Sequence, residues 1–351
     1  MSSTKLIAVL GATGNQGGSV VDTFLKQPGW KVRAITRNSS SPKSRSLIER
    51  GVEVVEADLG IPETLKTAFE GANAIFVVSN YMQILVHLMA QDKPPRGQSL
   101  EASASAHETQ YLCNAIDAAA TLSTLERFVL SSLPNISKWS GGKYTHVLHW
   151  DSKARAADYV AHRHPALWNK TCIIEAGFFL QNFIEYPFFK PVKQNDGSVH
   201  FITMLSPNLK LPFIAPEEDT GPLVRALLEG KPGKHLIGYR ELISLQDFVA
   251  SFASVTGYES KLVTVSQEEF LARVLPSLQV PLCESLAFME EFGYTGGDTS
   301  IIHPAQLSSS LSLPTVADYV AKQPWNEILA IFNLRWVKWE AGFTEGPELS
   351  T

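Results

Sequence analysis

Chemistry in this chain is expected first from His149 and Lys153, which are four residues apart, and from the serine pair Ser131-Ser132. A spacing of four places two side chains on one face of a helix. Imidazole has an unperturbed pKa of about 6.5, and a lysine can hold a ribose, stabilise an oxyanion or transfer a proton. We therefore take Lys153, His149 and Ser132 as candidate catalytic residues. The alternative is that His149 merely starts a helix and that Lys153 only holds a cofactor.

A glycine-rich turn near the start of the chain indicates a nucleotide. The apolar run 6–10 ends at a glycine, and two more glycines follow at three-residue spacing, before a helical pattern. In dinucleotide-binding folds such glycines permit the turn, let the pyrophosphate approach, and let the helix pack against the strand. The amides at the helix start then hold phosphates. The alternative is a turn without a ligand. The expected cofactor contacts are Gly11, Thr13, Gly14, Asn15, Gln16 and Gly17.

The end of the second predicted strand, 31–38, distinguishes between two cofactors. Proteins that prefer NAD place an acid there, on the ribose 2′-hydroxyl. This strand ends with Arg37 and no carboxylate. A guanidinium pairs with a 2′-phosphate, which a carboxylate would repel, so the sequence predicts NADP(H). Lys43, Arg45 and the serines 39–41 are expected to assist, although an arginine in solvent is the alternative reading.

Polar residues after later strands extend the expected cofactor site. Asp58 ends the third predicted strand, where it either accepts a hydrogen bond from the adenine amino group or closes a turn. Ligands bind at the carboxyl ends of strands in open α/β sheets, although residues there are also simply polar loop starts. The further expected contacts are Ser79, Asn80 and Tyr81 after the fourth strand, and Gly177 and Phe178 after the sixth.

Strands alternate with helices over residues 1–178, which predicts a Rossmann-type doubly wound parallel sheet that binds NADP(H). Beyond this point the chain is aromatic-rich and its strand candidates are short. We expect a smaller α/β lobe for substrate or partner over 179–351, with strand exchange between the lobes left open. Residues 82–97 are expected to form an irregular loop, and the tail after Trp339 to be frayed.

Composition excludes several classes of function. The chain has 351 residues, 44% of them hydrophobic and 19% charged, as expected of a globular protein. Its net charge of −5 argues against direct binding of nucleic acid or of an anionic membrane. The three cysteines, Cys113, Cys172 and Cys283, are widely spaced and form neither a metal pattern nor a disulfide framework. With no apolar run of about 20 residues and no signal peptide expected, we predict a cytoplasmic location, with a nuclear one left open.

As a set, these motifs resemble the NmrA-like family of atypical short-chain dehydrogenase/reductases, from fungi. The set comprises GATGNQGGSV, ITRN, FVVSNY, FVLSSL and His149-x-x-x-Lys153, and the resemblance covers about residues 5–190. In the superfamily a Tyr stands four residues before the Lys, whereas here that residue is His149 and Tyr144 has the wrong spacing. The resemblance implies an NADP(H)-binding fold. The family includes quinone reductases, natural-product enzymes, transcription co-regulators and a redox sensor without catalysis, and the sensor-like members share the His.

Aromatic residues point to the substrate. Trp139, Tyr144 and Trp150 are expected to meet the aromatic residues of 178–189 over the nicotinamide, in a pocket for a flat apolar molecule. Ordinary core packing is the alternative. These features favour an NADP(H)-dependent enzyme that reduces a C=O, C=N or C=C bond, or isomerises or cyclises an aromatic or polycyclic substrate. The other hypothesis is an inactive NADP(H)/NADP⁺ sensor that co-regulates transcription through protein partners.

Overall fold

The computed structural model describes residues 4–90, 97–308 and 311–330. The strands are β1 Lys5–Leu10, β2 Trp30–Thr36, β3 Glu53–Glu56, β4 Ala74–Val77, β5 Arg127–Ser132, β6 Thr171–Ala176, β7 Phe178–Phe179, β8 Val192–Lys193, β9 Val199–Thr203, β10 Lys210–Ile214, β11 His235–Gly238, β12 Glu241–Ser244, β13 Ser260–Thr264 and β14 Ile301–Ile302. The helices are α1 Asn15–Leu25, α2 Pro42–Glu49, α3 Pro62–Phe69, α4 Tyr81–Ala90, α5 Leu100–Ala120, α6 Ile136–Trp139, α7 Leu148–Arg163, α8 Pro165–Trp168, α9 Asn182–Glu185, α10 Pro216–Glu229, α11 Leu245–Thr256, α12 Gln267–Leu271, α13 Pro276–Phe292, α14 Pro304–Leu307 and α15 Val316–Lys322.

These elements divide into two units. The first unit contains the chain up to Ala176, and also Pro216–Gly238 and Phe292–Leu311. The second unit contains Gly177–Ala215, Tyr239–Glu291 and the described residues from Ser312 onward. The chain therefore leaves the first unit after β6 and returns to it twice, so that β11 and β14 belong to the large sheet.

The first unit is built on an eight-stranded parallel sheet in the order β14-β11-β6-β5-β4-β1-β2-β3. This confirms the predicted doubly wound fold. Strands β4 and β6 are buried along their whole length, as expected of parallel strands covered by helices on both faces. The strand order reverses at β1, and ligands of such folds bind in the crevice at the carboxyl ends of the strands there.

The second unit has two three-stranded sheets, β12-β10-β7 and β13-β9-β8. Its core is aromatic: the Phe183 and Phe248 rings stack with their centroids 4.3 Å apart, and Phe213 stacks on Phe248 at 5.2 Å. The predicted smaller α/β lobe is therefore confirmed as a fold class.

The irregular loop expected at 82–97 is wrong over its first part, which is helix α4. This helix forms because Tyr81 and Leu85 pack against Ala104 of α5, with Ile84 and Leu88 beside them. Residues 91–96, and the tail after Trp339, lie outside the described residues. None of the helices in the described ranges is both long and apolar enough to cross a membrane.

Helix α1, which follows the glycine turn, packs closely against α10. Gly221 makes this approach possible, because a Cβ atom there would lie 2.1 Å from both Ser19 O and Thr23 Oγ1. The Gly221 amide also donates to Ser19 Oγ over 2.9 Å. By contrast, a Cβ at Gly18 would meet nothing nearer than Ala12 O at 3.6 Å.

The contact predicts opposite effects for two glycine substitutions. Gly221→Ala should lower the free energy of unfolding by about 1–3 kcal/mol or more, because helix backbones must separate. Gly18→Ala in α1 should be neutral or raise it by up to about 1 kcal/mol, since alanine favours a helix. Urea denaturation measures both. Equal stabilities for the two variants would contradict the assigned helix contact.

Candidate functional site

The glycine turn after β1 has the geometry that the sequence predicted. Gly11 adopts a φ of 78°, in the left-handed region that favours glycine. A Cβ atom at Gly17 would lie 2.1 Å from Gly11 O, so this residue must be glycine for α1 to start so close to β1. The Gly14 amide donates to Gly11 O over 3.0 Å and closes the turn.

The start of α1 fits a phosphate. Gly14 is the exposed N-cap residue and supplies no side-chain cap, and the first turn of α1 contains no acidic residue. A Cβ there would meet only Gly11 O, at 3.4 Å, so space remains in front of the turn. Amides at a helix N-terminus attract anions, and here no carboxylate of the first turn competes for them. Thr13, Asn15 and Gln16 surround this turn and are each at least partly exposed.

Ser131 and Ser132 at the end of β5 have different partners. Both residues are buried. Ser131 Oγ donates to Gln16 Oε1 over 2.7 Å, which ties the end of β5 to the first turn of α1. Ser132 Oγ donates to Leu133 O at 3.3 Å. Of the two, Ser131 makes the direct contact with the glycine-turn helix, while Ser132 remains a predicted catalytic residue.

Lys153 on α7 forms a buried ion pair with Glu108 on α5. Its Nζ lies 2.7 Å from Glu108 Oε1 and also donates to His149 O over 3.2 Å. Glu108 is fully buried, and the Lys153 side chain is 11% exposed. Ser79 Oγ donates to the same Oε1 atom over 2.7 Å, and Ser152 Oγ donates to Oε2. The carboxylate of Glu108 therefore pairs with one cation and accepts hydrogen bonds from two hydroxyls.

Two further hydrogen bonds dock α5 on α7 and set this pair in place. Ser105 Oγ donates to Leu148 O over 3.3 Å, and Thr109 Oγ1 donates to Ser152 O over 3.1 Å. The two residues of α5 that donate these bonds, Ser105 and Thr109, are small, which allows the close approach.

Glu108 is a residue of the candidate site that the sequence analysis missed. A visible signal was its position on the buried face of α5, between Ala104 and Leu112, which are four residues away on either side. A charged residue in such a stripe is rarely left unpaired. The cation that pairs with Glu108 is decided by how α7 packs on α5. No local sequence pattern reveals that packing.

His149 differs from the expectation that it would titrate near neutrality. Burial, together with the nearby Lys153 ammonium, lowers the pKa of His149 from 6.5 to about 3. Its ring lies 5.7 Å from the ring of Tyr81 and 6.5 Å from that of Trp150. The imidazole is therefore neutral across the physiological range, and the assumed pKa of about 6.5 is wrong for this site.

The residues after β2 and β4 both contact Gln83 of α4. Arg37 Nη2 donates to Gln83 Oε1 of α4 over 2.9 Å. Asn80 Oδ1 accepts the Gln83 amide hydrogen over 3.1 Å, as a cap for α4. Tyr81 is buried, and its hydroxyl donates to Glu101 O over 2.9 Å.

Two acids lie near this edge. Asp58 Oδ1 accepts the Gly60 amide hydrogen over 2.7 Å, so in this structure the carboxylate closes a turn. Glu56, at the end of β3, accepts hydrogen bonds from Ser39, so the loop after β2 does contact a carboxylate. The sequence reading considered only the acid-free end of β2 and missed it.

The aromatic residues fall into two groups. In the first unit, Trp150 packs on Tyr294 with ring centroids 5.2 Å apart, and Tyr144 contacts Phe292 at 6.4 Å. In the second unit, Phe178 lies 5.8 Å from Phe213, in a core that encloses a cavity of about 20 Å³. Such a volume accommodates about one water and no organic ligand. That Gly177 and Phe178 contact a cofactor, and that the two groups form one pocket, stay predictions.

Asp151 acts structurally. It is almost fully buried, and its carboxylate accepts hydrogen bonds from the Ser137 hydroxyl and from the Ser137 amide, the latter over 3.2 Å. This holds α6 against the start of α7. Within the described ranges, no group of three or more His, Cys, Asp or Glu residues is arranged to hold a metal ion.

Known proteins resemble this chain in sequence and in fold. The model of the NmrA-like family matches residues 3–320. The NmrA-like family domain-containing oxidoreductase hkm9 of Aspergillus hancockii is 29% identical over 289 residues, covering 79% of this chain and 81% of the relative. FrzB, an oxidoreductase of the same description from a Cladobotryum species, is 30% identical over 295 residues, with shares of 79% and 81%. NmrA, a negative transcriptional regulator crystallised in complex with NADP, superposes with a TM-score of 0.68 at 20% identity, covering 96% of this chain and 100% of that one.

The depressed pKa of His149 predicts a pH dependence of stability. Between pH 6.5 and about 3 the unfolded imidazole binds a proton and the native one does not, so stability falls as pH falls through this window. The contribution is at most about 1.4 kcal/mol per pH unit. His149→Asn should remove it, making the loss of unfolding free energy between about pH 7 and about pH 5 smaller than in the parent chain.

Urea denaturation at the two pH values measures the difference. His162→Asn, on the exposed surface of the same helix, is the matched control and should keep the parental loss. If His149→Asn also showed the parental loss of unfolding free energy, the imidazole of His149 would not be neutral in the native state.

Proposed function

This chain belongs to the NmrA-like family, and on that premise we propose that it is an NADP(H)-dependent reductase acting on an apolar, aromatic small molecule. The observation that carries the proposal is the buried Lys153–Glu108 pair beside the glycine-turn sheet edge. A buried ion pair adds little net stability compared with apolar packing, so its presence points to chemistry that needs the charge.

Three features support the cofactor. The start of α1 fits a phosphate, and Arg37 stands where a ribose 2′-phosphate would need a cation. The relatives hkm9 and FrzB are named oxidoreductases, and the NmrA structure contains NADP. The residues proposed to hold NADP(H) are the glycine turn with Thr13, Asn15 and Gln16, then Arg37, Asp58, Ser79, Asn80, Tyr81, Lys153, Gly177 and Phe178.

Lys153 is the proposed proton donor of the reduction. When bound, NADPH supplies a hydride. An ammonium has three hydrogens, and Glu108 Oε1 and His149 O accept two of them, which leaves one for the substrate atom that is protonated or for a ribose hydroxyl. The carboxylate of Glu108 fixes Nζ in place. Ser79 and Ser152 in turn fix the carboxylate.

His149 has a more limited proposed role. Because its pKa is about 3, it does not serve as an imidazolium acid at neutral pH. A neutral ring still offers one donor and one acceptor nitrogen, so it can orient a substrate or a hydroxyl. Its backbone carbonyl, which accepts from Lys153, is part of the proposed site in any case.

The substrate class follows from the aromatic residues at the start of α7. Trp150 packs on Tyr294, and Tyr144 contacts Phe292, which surrounds this end of the helix with flat apolar surfaces. Such surfaces suit quinones, indoles and related polycyclic compounds. The named relatives are oxidoreductases from fungi. As the family resemblance suggested, we further propose a role in natural-product biosynthesis, a cytoplasmic location, and no nucleic-acid or membrane partner.

One observation favours the alternative of an inactive redox sensor that binds regulatory proteins. His149, with its low pKa, replaces the expected Tyr, and the neighbouring phenol of Tyr81 donates its hydrogen bond to Glu101 O. A sensor needs the cofactor contacts but no proton donor. NADPH oxidation with a panel of quinones and imines tests the two functions. Turnover supports the reductase, and intact NADPH binding without turnover supports the sensor or a redox-neutral isomerase or cyclase.

Removing Lys153 or its partner should impair turnover. We expect Lys153→Ala to lower kcat by about a hundredfold or more, since a positioned proton donor contributes about that much. Glu108→Gln should lower kcat less, because the amide oxygen can still accept a hydrogen bond from Nζ although the ion pair is lost. Lys66→Ala, which removes an exposed lysine of α3, is the control and should keep full activity. Parental kcat in Lys153→Ala would exclude this lysine from the reaction.

Removing Arg37 should change cofactor choice. We expect Arg37→Ala to weaken NADP⁺ binding by about tenfold and NAD⁺ binding little, since only the former has a 2′-phosphate for the guanidinium. Isothermal titration calorimetry measures both dissociation constants. Arg50→Ala, at the C-cap of α2 and paired with Asp22, is the control. An equal loss for both cofactors in Arg37→Ala would refute the 2′-phosphate contact.

A further inference from the structure

Glu56 stands where the expected 2′-phosphate loop begins. It is the last residue of β3 and is paired in register with Thr36, the last residue of β2. The Ala57 amide donates to Thr36 O over 3.0 Å and keeps the two strand ends together. The Glu56 side chain therefore emerges at the carboxyl edge of the sheet, beside the loop that starts with Arg37.

One carboxylate oxygen of Glu56 takes both hydrogen-bond donors of Ser39. Oε1 lies 2.7 Å from the Ser39 amide nitrogen and 2.6 Å from its hydroxyl oxygen. These two hydrogen bonds lower the pKa of Glu56 and keep it ionised at neutral pH. A serine that offers an amide and a hydroxyl to one oxygen is also a donor pair suited to a phosphate.

Other polar groups of this loop contact uncharged partners within the first unit. Arg37 Nη2 contacts Gln83, and the Ser40 amide donates to Asn38 Oδ1 over 2.9 Å. Ser41 caps α2 by accepting from the Ser44 amide over 3.1 Å. Within the loop, Ser39 is thus the residue whose donors point toward a negatively charged group.

We propose that Glu56 is a specificity-determining residue of the nucleotide site, which occupies the donors of Ser39 that a ribose 2′-phosphate would use. This inference rests on the proposed nucleotide binding. A 2′-phosphate must displace the carboxylate and is repelled by it over a few ångströms. A 2′-hydroxyl can instead donate a hydrogen bond to the carboxylate. Glu56 therefore reduces the preference for NADP(H) that Arg37 creates and lets the chain accept NAD(H) as well.

Calorimetric titration of the full chain with four nucleotides tests the inference. The probes are NADP⁺ and NAD⁺, and the fragments 2′,5′-ADP and 5′-AMP, which differ in the 2′-phosphate alone. Glu56→Gln keeps the side-chain shape without the charge, and Glu56→Ala removes both. Each should tighten NADP⁺ and 2′,5′-ADP binding by about tenfold and leave NAD⁺ and 5′-AMP unchanged or weaker. The gain should shrink at high salt, because the site is exposed.

Two further variants make the test specific. Glu53→Gln removes a carboxylate from the same strand, where it pairs with Arg33 over 3.0 Å, and should not alter the ratio of NADP⁺ to NAD⁺ affinity. Ser39→Ala should weaken NADP⁺, and in its background Glu56→Ala should tighten NADP⁺ much less, since the contested hydroxyl is gone.

The outcomes separate this inference from the proposed function. If the parent chain binds the nucleotides but Glu56→Ala and Glu56→Gln keep its NADP⁺-to-NAD⁺ ratio within about twofold, the inference is overturned and the proposed function stands. Weaker NADP⁺ binding in both variants would likewise overturn it, because Glu56 would then order the loop for the phosphate. A parent chain that binds none of the four probes would overturn both.

Discussion

The ion pair between Lys153 and Glu108 is the constraint around which the first unit is arranged. Removing two charges from water is costly, and losing one partner of such a pair typically destabilises a protein by about 3–5 kcal/mol. The structure offsets this cost with hydroxyls, because Ser79 and Ser152 both donate to the carboxylate. It also needs α5 and α7 in close contact, which the small residues of α5 at this contact allow. Any movement of either helix would leave a buried charge unpaired.

Close approach of the backbone also determines the structure of the glycine turn after β1. Gly11 supplies a backbone conformation that other residues rarely adopt, and Gly17 supplies space against the turn. The hydrogen bond from Ser131 to Gln16 links this turn to β5, the strand next to β4, from whose end Ser79 contacts Glu108. The glycine turn and the Glu108 partner of Lys153 are thus both tied to neighbouring strands of one parallel sheet, whose carboxyl ends meet at a single edge.

Tertiary packing gives two parts of the candidate site a chemistry that differs from what the sequence suggests. A histidine alone suggests a group that titrates near neutrality, but enclosure beside a cation makes His149 neutral. The end of β2 alone suggests an acid-free site, but the neighbouring strand brings Glu56 to the loop. For Glu56 the partner, Ser39, lies on another element, and for His149 the larger cause is burial, which depends on how other elements pack around α7. Propensity, spacing and local motif contain no information about either.

The sequence by itself determined the parallel doubly wound sheet, the glycine turn and the lysine on its helix, because strand–helix alternation, the need for glycine and helical spacing are local properties of the chain. It also indicated the family, since the motifs follow one another in a characteristic order. Only the tertiary structure decided that Glu108 pairs with Lys153, that β11 and β14 join the large sheet, and that Glu56 contributes a carboxylate to the loop after β2. Those facts depend on which elements pack together, and burial, charge pairing and pKa are properties of that packing.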